Sequence, residues 1–173
     1  MTLTKRLQSA IVDVPNFPKT GILFKDITPV FADAQLCQDL SVAIAEQFSD
    51  IDIVVGLEAR GFLLGLLIAQ QLKLPFVPIR KAGKLPKATF SESYTLEYGE
   101  ATLEIHQDAI PKGSNVLIHD DLLATGGTAA AAARLVKKSQ ANVTGFSFLV
   151  ELKSLKGRTQ LEDFAAIHSL LSL

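Results

Sequence analysis

Apolar residues along this chain alternate between two spacings, and the changes of spacing mark out its elements. Leu3, Leu7, Ala10 and Ile11 recur at helical intervals and predict a short amphipathic N-terminal helix. Pro15, Pro18 and Gly21 then break any regular pattern up to Pro29. That irregular segment still carries Phe17, Ile22, Leu23, Phe24 and Ile27, too many apolar side chains for a free linker. It is expected to pack on the rest of the chain as a small hood. Asp33 is placed to cap a helix that turns Leu36, Leu40, Ile44 and Phe48 inward. Ile51 to Val55 reads as a buried strand, Gly61 to Leu72 as a helix and Phe76 to Ile79 as the next strand.

From Arg80 to Ser93 periodicity fades among Gly, Pro, Lys and Ser, which predicts a mobile loop. Residues 94–98 and 101–105 read as strands about a turn at Gly99, and Pro111-Lys112-Gly113 is a further turn. A strand over 115–119 leads to an alanine-rich helix over 126–139. A strand over 143–150, a short helix near 157–163 and a last strand near 165–169 complete the pattern. Continuous apolar runs separated by helices call for a parallel sheet covered on both faces. Right-handed crossovers then give an α/β fold, a doubly wound, mainly parallel sheet of five strands. The expected organisation is one domain over residues 1–173, with the hood at about 12–30 and a flexible β-hairpin loop at about 80–105. In such sheets ligands sit at the carboxyl ends of the strands, where Glu58, Arg80 and Asp120 emerge.

Composition narrows the class. The 173 residues carry a formal net charge of −1, which argues against bulk binding to nucleic acid or an anionic membrane. Locally, Arg80, Lys81, Lys84 and Lys87 form a basic cluster with no acid among them. One cysteine, Cys37, excludes an internal disulfide and a multi-cysteine zinc site. His106 and His168 offer no metal-ligand spacing. Lys5, Arg6 and Asp13 interrupt any apolar leader, and the apolar run from Gly61 to Ala69 is too short to span a bilayer, so a cytoplasmic enzyme is expected.

Chemistry concentrates between Val116 and Thr128, where a strand ends in Asp120-Asp121 and runs through Leu122-Leu123-Ala124 into Thr125-Gly126-Gly127-Thr128. The small-residue turn lets backbone N–H groups converge on a phosphate, helped by the positive end of the helix behind it. At Gly127 a side chain would block that approach or meet a positive φ. Carboxylates repel a phosphate but accept strong hydrogen bonds from sugar hydroxyls. A tight turn with two solvated acids would look the same. The turn is neither a P-loop nor a dinucleotide fingerprint, because no Lys follows the glycines and G-x-G-x-x-G is absent. His119 either shifts the charge balance of the acids or lies on the opposite strand face; alternation favours the second.

This block resembles the phosphoribosyl pyrophosphate signature of the type I phosphoribosyltransferases, and in this form it is similar to the adenine-specific branch, the adenine phosphoribosyltransferases. The segments Pro15 to Pro29, Gly56 to Phe62, Arg80 to Pro86 and Tyr94 to Gly99 agree in the same order, so the resemblance runs from about residue 12 to 158. It implies purine salvage: adenine plus 5-phospho-α-D-ribose 1-diphosphate gives AMP and pyrophosphate, with Mg²⁺ held mainly by substrate and water, commonly in a homodimer. The related enzymes for 6-oxopurines and effector-binding regulators on the same fold are the competing classes. The hood and the near-neutral charge favour the adenine reading.

Residue by residue, the resemblance assigns Asp120 and Asp121 to the ribose hydroxyls. Ala124, Thr125, Gly126, Gly127 and Thr128 would cradle the 5-phosphate. Glu58, Ala59, Arg60, Arg80, Lys81 and Lys84 would meet pyrophosphate, with Arg60 also catalytic, and Glu58–Ala59 is where the family often has a non-proline cis peptide. Leu23, Phe24 and Lys25 of the hood would contact adenine mainly through their backbone N–H and C=O groups, with Leu122 across the ring. Glu97 matches an acid that handles the purine proton. Each has an ordinary alternative: a surface ion pair for Arg60, a solvated loop for the lysines, an exposed strand carboxylate for Glu97, plain core for Leu23, Phe24 and Leu122.

Overall fold

The strongest apolar runs become the centre of the sheet. A computed structural model describes residues 1–95 and 99–173. Strands β3 (Ile53–Leu57), β4 (Phe76–Lys81), β7 (Asn115–Leu123), β8 (Asn142–Glu151) and β9 (Ala166–Ser172) pair in parallel in the order β4-β3-β7-β8-β9. All five residues of β3 are buried, as expected of a strand covered on both faces. This parallel core has the expected five strands. The sheet as a whole has seven, because a hairpin of β5 (Thr89–Thr95) and β6 (Glu100–His106) joins antiparallel to the edge of β4.

Residues 89–93 are therefore paired strand rather than loop. Phe90 and Tyr94 alternate with polar residues and pack against the core, a period-two signal hidden among Ser and Glu. The hairpin is also fastened to α5 (Gly127–Lys138): Glu92 accepts from Arg134 Nε at 2.5 Å and pairs with Lys138 Nζ at 2.7 Å. Burial alone would raise the Glu92 carboxyl, but those two cations hold it below the usual range.

Helix α1 (Leu3–Ala10), helix α3 (Ala34–Ala45) and helix α4 (Gly61–Leu72) share one apolar cluster with Val54 and Leu117, while α5 packs against the other sheet face beside Ile118 and Phe146. Asp33 Oδ1 accepts from Leu36 N at 2.9 Å and starts α3 as expected. The five alanines Ala129–Ala133 are all buried, and their small side chains let α5 lie close to the strands. The expected short helix near 157–163 is shorter, a 3-10 turn over Gly157–Gln160 preceded by another over Lys153–Leu155.

The hood is more regular than its prolines suggested. Strands β1 (Val12–Pro15) and β2 (Leu23–Asp26) form a separate antiparallel pair, followed by the single-turn helix α2 (Thr28–Phe31). Its apolar residues do not all pack inward. Ile27 is fully buried, but Phe17, Ile22 and Leu23 stand exposed.

Candidate active site

Three strand ends and one hood edge converge. After β3 the chain turns through Glu58, Ala59 and Arg60 into α4, and the Glu58–Ala59 peptide is cis. Helix α4 approaches β7 so closely that a Cβ on Gly61 would lie 2.9 Å from Asp120 Oδ1 and from the His119 carbonyl oxygen. Only glycine allows that approach. It brings Arg60, the residue before Gly61, to the acid pair: Arg60 Nε stands 3.0 Å from Asp121 Oδ2. The same guanidinium lies 5.5 Å from the centre of the Phe24 ring in the hood. One side chain thus links the turn, the acids and the hood.

Asp120 emerges near the end of β7, and its Oδ1 accepts from the Asp121 amide at 2.9 Å. Burial, and then the negative charge of Asp121, push the Asp120 carboxyl well above its ordinary range. His119 is fully buried, with Nδ1 2.8 Å from Ser147 Oγ, and desolvation lowers its pKa to about 3. It is a neutral imidazole and does not alter the charge of the acids. The expectation that His119 and Asp120 diverge holds only partly, since His119 lies beside Gly65 and Asp120 beside Gly61 of the same helix.

The cradle follows. Gly126, at φ 88°, caps α5, and no side chain takes the first free N–H groups of that helix. The positive φ belongs to Gly126 and not to Gly127, whose nearest neighbour to an added Cβ is Tyr94 at 3.4 Å. Ala124, Thr125, Gly126 and Thr128 line a small cavity of about 60 Å³ together with Asp120 and Leu122. A larger cavity of about 690 Å³ adjoins it past Thr125 and Gly127, between β5 and α5. Tyr94 borders that space, and its hydroxyl accepts from Thr128 Oγ1 at 3.3 Å, a contact the sequence did not announce.

At the end of β4, Arg80 Nε is 3.3 Å from Glu58 Oε2, and the Lys81 amide donates to the same oxygen at 2.8 Å. Partial burial would raise Glu58, but the Lys81 amide and Arg80 outweigh it and lower the carboxyl. The Glu58 side chain is thus committed to holding Arg80 and the backbone of Lys81. Lys84 is exposed on the same loop, and its carbonyl accepts from Arg80 Nη1 at 3.5 Å. Lys87 turns away to Asp108 at 2.7 Å.

In the hood, a cavity of about 410 Å³ is lined by Val14, Phe17, Phe24, Asp26, Thr28 and Arg60. Of the four residues assigned to adenine only Phe24 lines it. Leu23 is 51% exposed, Lys25 pairs with Asp13 at 2.6 Å, and Leu122 faces the cradle cavity. Asp26 and Thr28 were not singled out by sequence. The Thr28 hydroxyl and amide both donate to Asp26 Oδ1, and these bonds lower its carboxyl. Glu97 lies outside the described residues.

Comparison with known proteins decides the family. Residues 26–164 match the phosphoribosyl transferase domain family. The adenine phosphoribosyltransferase of Cytophaga hutchinsonii is 46% identical over 173 residues, taking in 98% of this chain and 96% of the relative. The chain belongs to the adenine phosphoribosyltransferases. Their solved structures share its fold. The Rhodothermus marinus enzyme superposes with a TM-score of 0.93 at 49% identity, covering 99% of this chain and 98% of that one. The Saccharomyces cerevisiae enzyme, solved with D-2,5-dideoxy-2,5-imino-altritol 1,6-bisphosphate and adenine, gives 0.91 at 46% identity over 97% and 98%.

Proposed function

We infer that this protein transfers phosphoribosyl from 5-phospho-α-D-ribose 1-diphosphate to adenine, giving AMP and pyrophosphate, with residues 1–173 acting as one domain. The observation that carries the reading is Arg60. It spans from Asp121 to the hood at the carboxyl ends of β3 and β7, beside a helix start whose N–H groups no side chain occupies.

The residue roles follow from charge and geometry. Backbone N–H groups of Ala124 to Thr128 hold the 5-phosphate, and Asp120 and Asp121 accept from the ribose hydroxyls. Arg60, Arg80, Lys81 and Lys84, with the backbone of the Glu58-Ala59 turn, receive pyrophosphate. A purine nitrogen forms the new bond to carbon 1 of the ribose while the bond to pyrophosphate breaks, and the leaving group keeps the electron pair. Cations aimed at that group lower the barrier, because charge accumulates there. Glu97 takes the proton that the purine nitrogen loses. Asp120 and Asp121 also form a donor set suited to the water shell of a substrate-bound Mg²⁺, which needs few protein ligands. The ion neutralises pyrophosphate charge when bound.

Adenine, the base present with the yeast relative, fits the hood. β2 is paired on one edge only, so main-chain groups near Leu23, Phe24 and Lys25 remain able to read the adenine N1 acceptor and 6-amino donor. Leu122 meets the base from the cradle side. The test is pyrophosphate release from phosphoribosyl pyrophosphate and Mg²⁺ with adenine, guanine, hypoxanthine or xanthine. Release with adenine alone is expected, and release with a 6-oxopurine only would overturn the base assignment.

We also propose a cytoplasmic homodimer that acts on these two small substrates and on neither nucleic acid nor membrane. No described helix is long and apolar enough to cross a membrane. The outer face of α4 nevertheless leaves Leu63 51% and Leu66 47% exposed beside half-buried Phe62 and Leu67. A second copy covering that face would bury them. Light scattering of wild type against a Leu63→Glu, Leu66→Glu double variant tests this, with a monomeric variant expected.

A further inference from the structure

The 5-phosphate cradle has a back wall built from a distant part of the chain. A Cβ on Gly126 would lie 2.4 Å from the Gly157 carbonyl oxygen, and a Cβ on Gly157 would lie 2.3 Å from the Ala124 carbonyl oxygen. Backbone therefore rests directly on backbone, with no side chain between.

The residue after Gly157 anchors this contact. Arg158 Nε donates to Glu151 Oε1 at 2.8 Å and Nη2 donates to Oε2 at 2.8 Å, the forked geometry that fixes a guanidinium in place. Arg158 Nη1 adds a bond to the Ile167 carbonyl of β9 at 3.0 Å. Glu151 is the buried last residue of β8 and stands in register with Leu123, the last residue of β7 before the cradle. The Leu152 amide donates to the Leu123 carbonyl at 2.9 Å. The path Leu123–Ala124–Gly126–Gly157–Arg158–Glu151 closes on itself.

We propose that Gly157, Arg158 and Glu151 are positioning residues of the phosphate site, holding the Ala124–Gly126 backbone so that its N–H groups converge on the 5-phosphate. This rests on the sugar-phosphate reading of the cradle. Neither the Arg158 nor the Glu151 side chain lines the cradle cavities, and the pyrophosphate group of residues lies on other strands. The effect should therefore fall on one end of the ligand. A misplacement of the cradle weakens every N–H bond to the phosphate together and leaves Arg60 and Arg80 untouched.

The experiment measures the affinity of ribose 5-phosphate and of magnesium pyrophosphate, with KM and kcat, for wild type, Gly157→Ala, Arg158→Lys and Glu151→Gln. Circular dichroism and thermal melting identify the folded variants. Folded Arg158→Lys and Glu151→Gln should bind ribose 5-phosphate at least tenfold more weakly, with pyrophosphate affinity within twofold and kcat at saturation within about threefold. Gly157→Ala should show the larger loss if it folds. Unchanged ribose 5-phosphate affinity in folded Arg158→Lys and Glu151→Gln overturns the proposal, as does an equal loss for pyrophosphate. Wild type that fails to bind ribose 5-phosphate overturns instead the cradle reading on which the proposal stands.

Discussion

Arg60 Nε lies 3.0 Å from Asp121 Oδ2, the arginine side chain 38% exposed and the carboxylate only 6% exposed. A carboxylate so sheltered needs a cation, and a cation so placed can also turn toward a second anion. Pyrophosphate arriving at Arg60 and ribose arriving at Asp121 would each replace one half of this pair. The pair holds both groups oriented before substrate binds, while partial exposure of Arg60 limits what it adds to stability.

Arg60→Lys keeps the charge but loses the fork and the broad face that reaches Phe24. Its KM for phosphoribosyl pyrophosphate should rise at least tenfold, about 1.4 kcal/mol, with ribose 5-phosphate affinity within twofold of wild type. Steady-state kinetics and calorimetry check this, and an unchanged KM would place Arg60 outside the pyrophosphate site.

Asp120→Asn should separate stability from activity. The folded protein raises the Asp120 carboxyl above its unfolded value near 3.8, so the native state binds the proton more tightly. Wild type therefore loses stability from this group as pH rises above about 3.8, until the folded carboxyl has ionised. Asn has no such loss. The unliganded variant should melt higher than wild type at pH 7, with the gap closing toward pH 4, while activity falls at least tenfold. Melting curves across that range decide it, and a gap that widens on acidification refutes the sign.

The two cradle glycines should differ. Gly126 has φ 88° and no room for a Cβ, so Gly126→Ala forces the backbone to shift and costs about 1–3 kcal/mol in strain. Gly127→Ala meets only ordinary contact at 3.4 Å and should fold with near wild-type stability. Urea titration of both variants tests the contrast, and equal destabilisation contradicts it.

The sequence was most legible where a residue's role is local. The five parallel strands, the Asp33 cap and the helix from Gly61 to Leu72 follow from periodicity and capping chemistry. The acid pair and the small-residue turn were visible because their chemistry is contiguous. What escaped was long-range. Phe90 becomes a strand residue only because α5 and the edge of β4 are there to receive its hairpin. The positive φ falls on Gly126, the residue that caps α5, and not on Gly127 within the helix. Gly157 and Arg158 gain meaning only when β8 and β9 bring Glu151 and Ile167 around them. Leu23 and Lys25 were expected at the base through their backbone, and their side chains, turned to solvent and to Asp13, are compatible with that expectation.

His119 offers the opposite sign of pH dependence to Asp120. Full burial lowers its folded pKa to about 3, against 6.5 for an ordinary histidine. Below pH 6.5 the unfolded chain takes up a proton that the folded protein refuses, so stability is lost as the solution is acidified through that window. By pH 5 the linkage amounts to about 2 kcal/mol for a single group with so large a shift. His119→Val removes the titration and fills the space beside Gly65 with an apolar side chain, although it leaves Ser147 Oγ without its ring partner. The variant can therefore start less stable at pH 7.5, but the difference from wild type should shrink or reverse by pH 5. Urea midpoints at pH 7.5, 6 and 5 read the change directly. Because the imidazole is neutral throughout the working range, kcat above pH 6 should keep its wild-type pH profile in the variant. A constant stability difference at all three pH values would mean that His119 is not held neutral in the folded protein.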